Sequence, residues 1–332
     1  MLEFVVPGLF QPLRLWRSDF AFVPAAPGIL RLCAGARRVA VPVQGLENTL
    51  FAALGHCADD ELPIAYYRYC LDFGVPPTEP LVCADPVWMR SGIDQVTLNA
   101  TLPTPDHAAA TQLQALLNAH LAQDGLRLVS QHPQRWYLLG SALTGETAPR
   151  TVPLSQALGQ SVFALLPQQN RRYWHRLLNE IQMLLHDNPH GINALWLWGV
   201  SDCAQPSRLT PRWDSVMDSV IGNSVTAQTL ALAANVPYQA ATALAQTDYA
   251  SGKHLVILED LALPALGDNP TVWQTALDAL QTAWFEPALA YARNSQVTLS
   301  SADGREWHCQ PPAAWRFWQP RLASWAQLLE SA

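Results

Sequence analysis

The stretch from Asn170 to Gly199, NRRYWHRLLNEIQMLLHDNPHGINALWLWG, decides the fold class. Trp174, Leu177, Leu178, Ile181, Leu184 and Leu185 fall at offsets 0, 3, 4, 7, 10 and 11, one apolar stripe at helical period, and Pro189 stops the helix. Five residues later ALWLW is apolar at every position, the pattern of a strand buried on both faces. A strong amphipathic helix feeding a fully apolar strand predicts an α/β fold with a doubly wound, mostly parallel sheet. Outward from this stretch the same alternation recurs. Strands are expected at 2–6, 38–43, 254–258 (HLVIL) and 297–300, and helices at 27–35, 48–54, 62–73, 224–235 and 271–293.

Two proline-rich punctuations, GVPPTEP at 74–80 and GETAPRTVP at 145–153, bracket a segment with its own α+β pattern. Inside it strands are expected at 86–89, 95–99, 126–130 and 135–139, with a helix at 108–123 whose Leu113, Leu116, Leu117 and Leu121 form a stripe. The expected organisation is therefore a discontinuous α/β core domain, 1–80 and 149–332, interrupted by a small α+β domain at 81–148.

Composition narrows the function. Lys+Arg is 20 against Asp+Glu 27, a net charge of −7, and Lys253 is the one lysine, so nucleic acid is excluded as a partner for want of a basic footprint. Only 14% of residues are charged, whereas 49% are apolar and 13 are Trp. No apolar run approaches the roughly 20 residues of a spanning helix, and the opening MLEFVVPGLF lacks the pattern of a signal peptide, so no membrane is expected and the location expected is the cytoplasm. The six cysteines contain no CxxC pair, and GxGxxG, GxxxxGK[ST], GxSxG and HExxH are all missing. His186, Asp187 and His190 lie close in sequence, but Asn188-Pro189 breaks the helix between the imidazoles, which fits a polar helix end better than a metal site. Glu259-Asp260 ends the apolar strand HLVIL, where open α/β sheets place ligands, and Asp202 follows ALWLWG in the same way.

Several blocks, ADPVWMR (84–90), LLNAHLAQDGLRLV with HPQRWYL, RRYWHRLLNEIQMLLHDNP and NALWLWG, resemble the RpfE-type regulatory proteins of proteobacteria. That family in turn resembles the archaeal-type cofactor-independent phosphoglycerate mutases of the alkaline phosphatase superfamily. The resemblance implies the α/β core with an inserted domain, and it implies the mutase apparatus of a serine nucleophile, two metal ions and substrate arginines. At the matching positions this chain departs from that apparatus. Pro7-Gly8 stands for the metal-binding Asp-Gly, Leu46 for the nucleophile, Val82 for a substrate arginine, and Ala302-Asp303-Gly304 for an Ala-Asp-His. The block HLVILEDLALPALGD keeps Asp260 and Asp268 without the metal histidine, and Arg135 remains where a second arginine is expected.

The expected function is a non-catalytic regulatory or ligand-sensing protein without catalytic residues or cofactor. Its expected partner is a small anionic ligand or another protein. Two alternatives stand beside it: a metal-dependent phosphomutase or phosphohydrolase with a site rebuilt from Glu259, Asp260, Asp268 and Asp303, and an adaptor docking through Trp307, Trp315, Trp318 and Trp325. Candidate ligand-binding residues are Asp85 and Arg90, expected to pair across a strand turn, Arg135, facing an anion, Asn179 and Glu180 on the polar side of their helix, and Glu259 with Asp260. Asp260, Asp268 and Asp303 are the weak metal candidates.

Overall fold

The computed structural model describes residues 1–43, 45–56, 61–204, 206, 217–244, 252–309 and 323–329. In chain order the first elements are β1 (Leu2–Val5), α1 (Leu13–Phe20), α2 (Pro27–Leu32), β2 (Arg37–Ala40), α3 (Gly45–Ala53), α4 (Ile64–Phe73), β3 (Leu81–Val87), β4 (Met89–Ser91), β5 (Val96–Leu98) and α5 (His107–Leu121). Then come β6 (Arg127–His132), β7 (Arg135–Leu139), α6 (Leu154–Ala157), α7 (Arg171–Leu185), β8 (Ala194–Ser201), β9 (Ser219–Gly222), α8 (Val225–Ala234), β10 (Tyr238–Ala240) and β11 (His254–Ile257). The last are α9 (Ala262–Leu266), α10 (Pro270–Leu280), a π-helical turn (Gln281–Phe285), α11 (Glu286–Tyr291), β12 (Val297–Ser300), β13 (Arg305–Cys309) and α12 (Trp325–Leu329). The chain divides into two units, Met1–Ala53 with Pro211–Ala332, and Leu54–Thr210.

The first unit holds a sheet in the order β10-β9-β11-β1-β12-β13-β2. The five strands from β10 to β12 pair in parallel, and β13 joins β12 and β2 antiparallel. LEFV, HLVI, SVIG and VTLS are almost wholly buried, as strands covered on both faces must be. Helix starts follow side-chain chemistry. Ser224 accepts the Ala227 N–H at the start of α8, and Asn269 accepts the Val272 N–H with Pro270 opening α10. The single helix expected over 271–293 is interrupted by the π turn, directly before Pro287. Proline has no N–H to donate and its ring crowds the preceding turn, so the backbone widens there. β13, REWHC, was not expected from the sequence, because its apolar positions are too few to signal a strand.

The second unit corrects one expectation. Its sheet runs β6-β7-β3-β8, all antiparallel, so ALWLW is not a strand of the parallel sheet but pairs antiparallel with β3, Asp85 lying opposite Trp196. Both faces of β8 are covered, with α4 and α7 packing on it, and that is why it is apolar throughout. The compact unit 54–210 takes in the segment 81–148 together with α4, α7 and β8, and α7 and β8 share one core with β3, α5, β6 and β7. The stripe of α7 is buried as its spacing requires, while Met183 on the opposite side is 79% exposed.

A buried ion network pins this unit. Arg68 of α4 donates to both carboxylate oxygens of Asp85 on β3 at 2.7 Å each, to the Tyr137 hydroxyl at 3.2 Å and to the Trp136 carbonyl at 3.3 Å. Its guanidinium also stacks on the Tyr137 and Trp198 rings, and the Trp198 indole N–H donates to Asp85 at 2.8 Å. Tyr137 donates in turn to Asp72, which holds Arg135 in a fork. Breaking one side of a buried ion pair strands the other charge. Arg68→Met is therefore expected to cost about 3–5 kcal/mol in urea denaturation followed by circular dichroism, and adding Asp85→Leu is expected to recover much of that loss.

Candidate functional site

The carboxyl ends of the parallel strands form the place to look, since ligands of open α/β sheets sit there. β11 leads into Leu258, Glu259 and Asp260, and its neighbour β9 leads into Asn223 and Ser224. The Ser224 hydroxyl donates to Glu259 Oε1 at 3.0 Å while accepting the Ala227 N–H at 3.1 Å, so the cap of α8 also positions the carboxyl. Asn223 clamps both backbone groups of Ala241 just past β10. Glu47 of α3 is 4% exposed and acts electrostatically on Glu259. Burial pushes the Glu259 carboxyl up to about 7, the Glu47 and Asp260 carboxylates add to the rise, and the Ser224 hydrogen bond opposes it. Chemically this is a half-buried acid that exchanges its proton near neutral pH in a field of other acids. Such a cluster suits a hydrogen-bonding or cationic group and repels an anion.

At the central strand the same edge is closed. Val6, Pro7, Gly8, Leu9 and Phe10 are buried behind β1, and the Trp273 indole donates to the Gly8 carbonyl at 2.9 Å. Gly8 has φ +79°, and a Cβ there would sit 2.7 Å from the Leu261 carbonyl oxygen, so only glycine fits this turn. Leu46 is buried on α3 and Val82 on β3.

The remaining acids are engaged separately. Asp268, at φ +48°, accepts from the Trp16 indole. Asp303 accepts from the Ser301 hydroxyl and lies 3.8 Å from Arg305. Among the described residues no three His, Cys, Asp or Glu side chains converge to hold a metal ion, so the donor set does not fit the two-metal centre that the resemblance implies.

The other expected site residues lie elsewhere. Asp85 is 3% exposed and pairs with Arg68, not with Arg90, which is exposed on β4. The reason is burial: Arg68 brings a guanidinium to Asp85 inside the core, where an unpaired carboxylate would be costly. Arg135 does not face a free anion position, because Asp72, itself 3% exposed, takes its charge at 2.6 Å. Asn179 is exposed, and Glu180 meets His120 at 3.1 Å and Arg176 at 3.8 Å. Asp202 is exposed and caps the Cys203 N–H. His186 and Asp187 are 82% and 98% exposed, and Asn188 accepts the His190 N–H, a polar helix end. Trp307 and Trp325 are buried in the core rather than displayed for docking, whereas Trp315 and Trp318 lie outside the described residues. Sequence reasoning missed Ser224 and Glu47. A serine before an apolar run was the available signal for Ser224 as a cap, and nothing in GLENTLFAALG marks Glu47.

No protein-family model matches the chain, and no curated protein matches it. Two solved structures align over most of its length. One is the cofactor-independent phosphoglycerate mutase from Thermoplasma acidophilum, with 13% identity over 93% of this chain and 89% of that one, at a TM-score of 0.43. The other is the PH0037 protein from Pyrococcus horikoshii, with 9% identity over 92% of this chain and 86% of that one, at a TM-score of 0.49. Among the described residues no helix is long and apolar enough to cross a membrane.

Glu259 sets a pH dependence. Its carboxyl titrates at about 7 in the fold and near 4.5 in an unfolded chain, so between those values the native state binds more protons. Stability is then full below pH 4.5 and falls as pH rises through 7. The expected fall is on the order of 2 kcal/mol for a half-buried group. Glu259→Gln is expected to flatten that part of the profile, measured as urea midpoints from pH 4.5 to 8.

Proposed function

We propose that this chain is a non-catalytic, ligand-sensing regulatory protein of the cytoplasm, built on a phosphoglycerate-mutase-like α/β scaffold. One observation carries the reading. The end of the central strand, where such a scaffold would begin its metal centre, is closed by the buried run Val6–Phe10 against Leu261 and Trp273. Pro7 and Leu46 supply neither a ligand nor a nucleophile, and Asp268 and Asp303 each serve a partner within the fold. Support also comes from the resemblance of ADPVWMR and LLNEIQMLLHD to RpfE-type regulators. What remains polar at the strand ends is the Glu259–Ser224 pair, with a proton that responds to its surroundings near neutral pH. A sensor needs that responsiveness and a phosphotransferase needs more, namely an acceptor for the phosphoryl group and cations to neutralise it.

The test is turnover of 3-phosphoglycerate and of p-nitrophenyl phosphate by the purified protein with Mg²⁺ or Mn²⁺. Rates at the enzyme-free background are expected. Turnover that falls in Asp260→Asn or Asp303→Asn would overturn the reading.

A further inference from the structure

The antiparallel edge of the large sheet gathers arginines around one tryptophan. In the register of β13 and β2, Trp307 lies opposite Arg38 and Arg305 opposite Ala40. Residues directly opposite share a sheet face, as do residues two apart, so Arg305, Trp307 and Arg38 all lie on one face. Arg38 stacks over the Trp307 ring with its guanidinium 5.7 Å from the centroid, and Arg305 lies 5.8 Å from the centroid of the fully buried Phe10. Arg14 of α1 reaches the same region, donating its Nε to the Leu329 carbonyl at 3.0 Å.

Two donors in this group are buried without an acceptor, Nη1 of Arg305 and Nε1 of Trp307. Buried donors are almost always satisfied, and two orphans two residues apart on one strand ask for a shared acceptor. The Asp303 carboxylate stays 3.8 Å from Arg305 Nη1 and is held by the Ser301 hydroxyl. Burial holds the Arg305 pKa below the ordinary arginine value; Asp303 opposes this, and the like charges of Arg14 and Arg38 add to it. Every orphaned atom is a donor, and two of the three charges acting on Arg305 repel it.

We propose that Arg305, Arg38 and the Trp307 indole form a binding site for a phosphate-type oxyanion, with Arg14 at its rim. A tetrahedral dianion presents several acceptor oxygens to a planar guanidinium fork and to a neighbouring indole N–H, and its charge relieves the repulsion among the arginines. The aromatic rings beneath the two guanidinium groups hold them in place before the anion arrives. The site is separate from Glu259 and does not depend on whether the chain is catalytic.

The experiment is a titration of the full-length, ¹⁵N-tryptophan-labelled protein with inorganic phosphate, against sodium chloride and acetate at matched ionic strength. The Trp307 indole resonance is assigned by its loss in Trp307→Phe. A saturable shift with phosphate, absent with chloride and acetate, is expected, and its Kd is expected to rise about ten-fold or more in Arg305→Gln and in Arg38→Gln. Where Arg305→Gln does not fold, Arg38→Gln decides alone. An indole resonance that does not move, one that moves equally with chloride or acetate, or an unchanged Kd in a folded arginine variant would overturn the site.

Discussion

The first unit depends on one constraint, that β1 must be paired on both sides. Leu2–Val5 takes β11 on one edge and β12 on the other, in register from Leu2↔His254 and Leu2↔Val297. Four residues near the start of the chain therefore wait on two strands more than 250 residues away, and the loop-closure entropy of both pairings must be met before the sheet exists. The insertion of residues 54–210 between α3 and β9 is tolerated because that entropy grows only slowly with loop length. Closing the core also fixes the end of β1. A strand buried on both faces, flanked by Leu258 and Ser300, turns away through Gly8 with no room for a side chain. The architecture that makes β1 central thus makes its end apolar as well.

Polar groups in the two units answer burial in opposite ways. Around Arg68 nearly every donor and acceptor is spoken for: two carboxylate oxygens, a phenol, a carbonyl and an indole close on one guanidinium. Such a network is worth keeping only when complete, and here it ties α4, β3, β7 and β8 in a single arrangement. At Glu259 the neighbours are acids, and the Ser224 hydroxyl is the counterweight to them, so the carboxyl gives up its charge instead. Groups that are fully matched hold a fold together, whereas groups left in tension are the ones a ligand or a proton can change.

How much was legible follows from that contrast. The stripe of α7 and the apolar run HLVI could be read from the sequence pattern, whereas the stripe expected on α5 holds only in part, since its Leu116 is 45% exposed. ALWLW was read correctly as a buried strand and wrongly as a parallel one, since full burial reports that both faces are covered and says nothing of the partner's direction. Glu259 could be marked because it follows an apolar strand, at the end where open α/β sheets place ligands. Arg68 could not. It sits in YYRYC, where the acid at helical spacing is Asp72, and the pairing with Asp85 exists only once β3 has folded against α4. Asp85 was marked for the right chemistry with the wrong partner, as happens when the nearest charge in sequence is not the nearest in space.

The scarcity of lysine has a structural side. Of 20 basic residues one is Lys253, and the arginines do work that an ammonium would do poorly. Arg68 and Arg135 grip carboxylates as planar forks, while Arg38, Arg176 and Arg305 lay their guanidinium planes near Trp307, Tyr173 and Phe10. A guanidinium sheds water more readily than an ammonium and stacks on a ring, so it suits a chain with 13 Trp and few charges. Low charge density and arginine preference are then two aspects of one condition. Where aromatic surface is plentiful and charges of either sign are few, a cation is held by rings and by scattered acceptors.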